Sequence, residues 1–212
     1  MDDIFWWVLD MRKSDKIKVF AIGFNKCGTS SLNYFFNKNG LRSLHYNRGR
    51  LASDILKNIR NFENPISGYE KYRCFLDMEC INSYSKPLIE AYKYFEDLYA
   101  WNPDAKFILN TRDVQRWVDS RSRHSNGMYL KWYKYHYGLT SDEEVKEYWR
   151  IDFYQHHANV LRFFRDKPGR LLIYNIEKDS PEKISDFLSD VHVFSSLEMP
   201  RSNVTKLSKE SC

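Results

Sequence analysis

The 212-residue chain lacks a long apolar run, a cysteine framework, a repeat and a block of like charge. Its N-terminal apolar stretch, Ile4 to Leu9, is six residues long and follows two aspartates. A membrane span needs roughly 20 apolar residues and a signal peptide needs basic flanks, so neither is expected, and residues 1–16 read as a cap on the domain. The four cysteines, Cys27, Cys74, Cys80 and Cys212, form no CxxC pair and have no histidines at metal spacing. That argues against a zinc site or a disulfide scaffold and for reduced thiols in a cytoplasmic protein. Without repeats or low-complexity tracts, residues 1–212 read as one domain, with 199–212 an irregular tail. A net charge of +5 with no polybasic arm suits an anionic ligand, and no nucleic-acid partner is expected.

What the chain does have is apolar material, 42% of residues with 17% aromatic, enough for one well-buried core. It is distributed in alternation. The continuous apolar run at 18–24 ("KVFAIGF") predicts a central strand buried on both faces, and further strands are expected at 42–46, 72–78, 105–113 and 170–176. Helical spacing predicts helices over 29–40, 49–62, 86–103, 114–124, 141–166 and 180–190. Gly40 supplies a stop for the first, and Ser141 with Glu144 a capping box for the fifth. The expected fold is α/β, a parallel sheet of about five strands flanked by helices, with ligands at the carboxyl ends of the strands.

The first strand leads into "GFNKCGTSSL", a phosphate-loop spacing of Gly23 and Gly28 with its lysine misplaced. A triphosphate-binding loop puts lysine directly after the second glycine; here Thr29 is there and Lys26 stands two residues before. A tight turn opening a helix gathers backbone N–H groups and the positive end of the helix dipole at one point. Gly23 would allow the turn and Gly28 a close ligand approach, while Lys26 adds a point charge. A cysteine phosphatase would need arginine in a Cys-x5-Arg loop, and Cys27 is followed at that distance by Asn33.

The loop resembles the 5′-phosphosulfate-binding loop of sulfotransferases that use 3′-phosphoadenosine 5′-phosphosulfate. A second motif of that family, Arg-Asp after a strand with serine eight residues beyond the arginine, is matched by Arg112, Asp113 and Ser120 in "ILNTRDVQRWVDS". The resemblance covers roughly residues 17–190. It implies sulfuryl transfer from that donor to a hydroxyl or amine of a small-molecule or glycan acceptor, with no metal. Lys26 would act at the breaking bond. Lys26, Cys27, Gly28, Thr29, Ser30 and Ser31 would hold the 5′ side, and Arg112 with Ser120 the 3′-phosphate. A general base must face Lys26; Asp77 at a strand end is the first candidate, His45 the second and Glu79 a third.

His124 could approach the nucleotide, and Arg116, Arg121 and Arg123 read as a solvated basic helix face. His156 and His157 lack ligand partners on their helix, and Trp101, Trp117, Trp132 and Trp149 read as core. Relatives close a basic, glycine-containing segment over the 3′-phosphate; here Arg201 and Lys206 are the basic residues of a tail without glycine. Residues 46–75 and 124–150 are expected to form the acceptor pocket and lid. The alternatives are a nucleotide or small-molecule kinase with a divergent loop, and a non-catalytic nucleotide-binding relative.

Overall fold

The computed structural model describes residues 17–81 and 87–200. The N-terminal cap, Arg201 and Lys206 lie outside these residues. The strands are β1 (Val19–Ala21), β2 (Ser43–His45), β3 (Cys74–Leu76), β4 (Glu79–Cys80), β5 (Ile89–Glu90), β6 (Lys106–Thr111) and β7 (Leu171–Asn175). The α-helices are α1 (Thr29–Lys38), α2 (Arg50–Arg60), α3 (Phe95–Trp101), α4 (Val114–Ser122), α5 (Met128–Tyr137), α6 (Asp142–Phe164) and α7 (Glu182–Phe187). Five strands pair in parallel in the order β2-β3-β1-β6-β7, and β4 with β5 makes a small antiparallel ladder. The expected α/β fold and all five expected strands are present.

Because successive strand residues point to opposite faces, the apolar runs feed two cores. On one face Phe20 stacks on Phe75 and Phe107 at ring distances of 5.3 and 5.4 Å, covered by α2 to α6. On the other, Val19, Ala21 and Ile108 meet Leu32, Phe35 and Phe36 of α1 and Ile184 of α7. Helix α1 ends as Gly40 suggested. Gly40 has φ +80°, its N–H bonds Asn37 O, and the Leu41 N–H bonds Phe36 O while the two side chains share a core. The Ser141–Glu144 capping box opens α6.

Two stretches differ from expectation. Residues 86–103 are not one helix: β5 and a tight turn at 91–93 precede the short α3. The apolar spacing there is helical, but Glu90 is drawn into a ladder opposite Glu79, and that tertiary pairing overrides local preference. Residues 128–137, assigned no element from sequence, form α5 between Gly127 and Gly138, both with positive φ. Trp117 and Trp149 are core, as read, whereas Trp101 is 48% exposed.

Candidate active site

The β1–α1 loop is pinned from β6. Fully buried Asn110 accepts a hydrogen bond from Gly23 N–H at 2.9 Å, and its amide donates to the carbonyls of Phe24 and Cys27 at 3.3 and 3.0 Å. A Cβ on Gly23 would lie 1.9 Å from the Asn110 carbonyl oxygen, so only glycine allows this approach. At Gly28, φ +79°, the space for a Cβ is taken by Ile176 at 2.7 Å. Packing against the β7 end, rather than room for a ligand, requires that glycine. Lys26 is left-handed at φ +62°, a conformation costing a non-glycine residue about 1 kcal/mol. Its flanks are over-determined. The Asn25 carbonyl accepts from Trp117 Nε1 at 3.0 Å, Asn25 Oδ1 from Arg121 at 2.7 Å, Asn25 Nδ2 donates to Tyr129 at 2.9 Å, and Arg112 donates to the Lys26 carbonyl at 3.1 Å. Helix α1 then starts with no side-chain cap and no acid in its first turn, leaving its positive end turned to the loop.

The ends of β2 and β3 bring His45 and Asp77 together. His45 Nε2 is 3.1 Å from Thr29 Oγ1 and 3.4 Å from Asp77 Oδ2. Asp77 is left-handed at φ +54°, and its Oδ1 is buried with no hydrogen-bond partner among the described residues. Burial raises the Asp77 carboxyl above the ordinary value, against the attraction of His45, Arg121 and Lys26. Burial likewise perturbs His45, lowering it, which Asp77 only partly offsets, and this favours the neutral imidazole. Lys26 is lowered by burial; Asp77 opposes this, while Arg112 and Arg123 add to it. Cys27 is wholly buried and its thiol is pushed up to about 12 by burial, so it is no nucleophile at neutral pH. Ser30 and Ser31 lie half-buried in the first turn of α1.

Arg112 leaves the end of β6 and meets a carboxylate that the sequence reading missed. Glu177, just past β7, accepts from Arg112 Nη2 at 2.7 Å and from Asp113 N–H at 3.1 Å, with Arg116 3.5 Å away. Burial pulls the Glu177 carboxyl up, but the Asp113 N–H and the Arg112 guanidinium outweigh it and hold it low. Arg112 Nε is buried without a partner among the described residues. Asp113 caps α4 through Arg116 N–H at 2.9 Å, and half-buried Ser120 lies two turns along that helix. Glu177 was discernible only as the first acid after a predicted strand.

Arg121 corrects the reading of α4 as a solvated basic face. It is fully buried, donating to Asn25 and to Tyr133 at 2.7 Å each, with Glu79 and Glu90 at 3.6 and 3.8 Å. Arg116 and Arg123 are exposed, as expected. Glu79 is 1% exposed and accepts from Tyr129 at 2.8 Å. Burial raises its carboxyl to about 8, with Arg121 pulling the other way. It belongs to this internal network rather than to the mouth of the site. His124 packs edge-on to Tyr129, and burial together with Lys26 and Arg121 lowers it to about 4. His156 bonds the Ile22 carbonyl and His157 bonds Thr111, both structural contacts.

Among the described residues no group of three or more His, Cys, Asp or Glu is arranged to hold a metal ion, and no helix is long and apolar enough to cross a membrane. Residues 18–137, more than half of the chain, match the family model described as a sulfotransferase domain, and the chain belongs to that family. No curated protein matches it significantly.

Proposed function

We propose that this member of the sulfotransferase family moves a sulfuryl group from 3′-phosphoadenosine 5′-phosphosulfate to a hydroxyl or amine of a small-molecule or glycan acceptor. The observation that carries the reading is the setting of Lys26. It stands in a left-handed turn before an uncapped helix, and the charges acting most strongly on it are Asp77 and Arg112. The residues suit the donor: the α1 N-terminus, which has no side-chain cap, for one anion, and Arg112 Nε near the start of α4, buried and without a partner among the described residues, for another. When bound, the donor supplies an activated sulfuryl group and a phosphate leaving group.

The chain's own residues have three tasks. The Gly28–Ser31 backbone, with the Thr29, Ser30 and Ser31 hydroxyls, holds the 5′ side, and Arg112 with Ser120 holds the 3′-phosphate. Thr29 Oγ1 is now bonded to His45, so its engagement with the anion is read by the base pair as well. Lys26 sets its ammonium against the oxygen that gains charge as the sulfur–oxygen bond breaks. Asp77 Oδ1 takes the acceptor's proton, with His45 beside its other oxygen; burial, by raising this carboxylate, makes it a stronger base than a solvated one. Cys27 and Cys74 are buried free thiols, in keeping with a reducing, cytoplasmic setting.

Thermal-shift measurements test the donor. Strong stabilisation by 3′-phosphoadenosine 5′-phosphate, with little from ADP or ATP-Mg, is expected; preference for ATP-Mg sinks the reading in favour of a kinase. Lys26→Ala is expected to lower transfer by about 10²–10³ without changing the fold by circular dichroism.

A further inference from the structure

We propose that the protein self-associates through α6, two copies packing antiparallel about a two-fold axis level with His156. The core face of α6 is Val145, Trp149, Phe153, His156, Val160 and Phe164. A second row runs along its outer flank: Glu147, Ile151, Tyr154, Ala158, Leu161 and Arg165, all exposed. Their spacing is 4, 3, 4, 3 and 4, the alternation that keeps a straight seam against a partner helix. Single exposed apolar residues need no explanation. Here Ile151, Tyr154 and Leu161 are 50%, 60% and 46% exposed and follow one another at seam spacing. Arg165 still has helical torsions, so the seam spans the helix to its end.

Charge decides what covers it. The seam begins on Glu147 behind Asp142, Glu143 and Glu144, and ends on Arg165 between Arg162 and Lys167. A parallel pair would set Glu147 on Glu147 and Arg165 on Arg165. The antiparallel pair sets each Glu147 against Arg165 of the second copy and opposes the two helix dipoles. The same register, reflected about residue 156, places Ile151 opposite Leu161 and Tyr154 opposite Ala158. The tyrosine thus faces a small residue and the two aliphatic side chains face each other, and each layer mixes the two seam positions. The one like-charge meeting, Arg150 with Arg162, falls on the flank, where Arg150 is already held by Glu147 at 3.0 Å. On the same face of the sheet as α6, Ile173 of edge strand β7 is 42% exposed and adds apolar surface. Because the arrangement is isologous, it closes at two copies rather than growing.

The seam is about 27 Å long, at the small end of stable interfaces, so dissociation is expected at micromolar concentration, on the order of 1–100 μM. Sedimentation of the full chain across that range tests it. The mass should rise from 25.6 kDa toward twice that value with concentration. Glu147→Arg and Arg165→Glu should each raise the dissociation constant at least tenfold, and the double exchange should restore it to within threefold. Leu161→Glu should leave a folded monomer. A dimer that survives Leu161→Glu, or that the double exchange fails to restore, overturns the proposal. So does a strict monomer; if Leu161→Glu also destabilises that monomer, the stripe belongs to the chain's own apolar residues 4–9.

Discussion

Glu177 offers the sharpest test of how the proposed 3′-phosphate site works, because it already occupies the arginine assigned to that phosphate. Glu177→Gln removes the charge and keeps the shape. In the free protein the carboxylate accepts from Arg112 at 2.7 Å and from Asp113 N–H at 3.1 Å, with the two side chains 18% and 20% exposed. A hydrogen bond between charged, largely buried groups contributes about 1.5–3 kcal/mol. A phosphate arriving at Arg112 must displace or share it, and meets the repulsion of a carboxylate as well. The glutamine variant removes that competition, so affinity for 3′-phosphoadenosine 5′-phosphate should rise about tenfold to a hundredfold. Affinity for adenosine 5′-phosphate, which lacks the 3′ group, should stay within about twofold by the same scale. The free variant should also melt several degrees lower, about 2–4 °C per kcal/mol lost for a chain of this size. Isothermal titration of both nucleotides reads the difference directly. If Glu177→Gln weakens the 3′-phosphorylated nucleotide, or tightens both equally, Glu177 supports Arg112 rather than competing for it, and the reasoning fails.

Three further outcomes are expected. Asp77→Asn should lower turnover by about 10²–10⁴ while the thermal-shift response to nucleotide persists; activity within threefold of wild type would move the base to His45, with His45→Gln as the dead variant. His156, 3% exposed and bonded to the Ile22 carbonyl, is lowered to about 4, chiefly by burial. The folded state therefore binds fewer protons than the unfolded one: His156's contribution is complete above pH 6.5 and is lost as pH falls toward 4, about 3 kcal/mol in all. Urea titrations at pH 7 and 4.5 should show a smaller acid loss in His156→Gln, with a residual loss from His45, His124 and His157, all also lowered; identical losses would contradict the burial argument. Gly28→Ala, at φ +79° and 2.7 Å from Ile176, should cost about 1–3 kcal/mol, part of it recovered by adding Ile176→Ala. A neutral Gly28→Ala would mean the loop is not held against β7.

The centre of the sheet was legible because strands such as β1, β3 and β6 lie in largely apolar runs, and the loop and the Arg112–Ser120 helix because each follows such a run at a fixed spacing. What was hidden depends on partners remote in sequence. Arg121 looks solvated beside Arg116 and Arg123, and nothing near it reveals that Glu79, Glu90 and Tyr133 converge on it. The β5 strand was masked for the same reason, since Glu90 leaves a helical pattern to join that cluster. Helix α5 was obscured by its own composition: Tyr129 and Tyr133 mark the buried face, but Trp132 and Tyr135 blur the period. His45 and Asp77 were each legible as strand-end residues. Their meeting with Thr29 needed the strand order, which no local pattern contains.

Arg121 also bears on why α4 is built as it is. A buried cation surrounded by Phe24, Trp117, Tyr129, Tyr133 and Trp149 is a poor source of stability, since desolvation offsets most of what Glu79 and Glu90 return. Packing alone would be served as well by an apolar side chain. What an apolar side chain cannot supply is the 2.7 Å bond to Asn25, the residue before the left-handed Lys26. Trp117, one helical turn earlier, fixes the Asn25 carbonyl, and Arg112 at the head of the helix fixes the Lys26 carbonyl. The helix thus grips the loop through Trp117 and Arg121 on its inner face, and Arg112 just before it adds a third point, while Arg112 and Ser120 are the residues assigned to the 3′-phosphate. A shift of α4 on binding at Arg112 would be felt at Lys26 through rigid hydrogen bonds rather than through solvent. In the proposed reaction, that linkage makes the position of the lysine depend on whether the 3′-phosphate is in place.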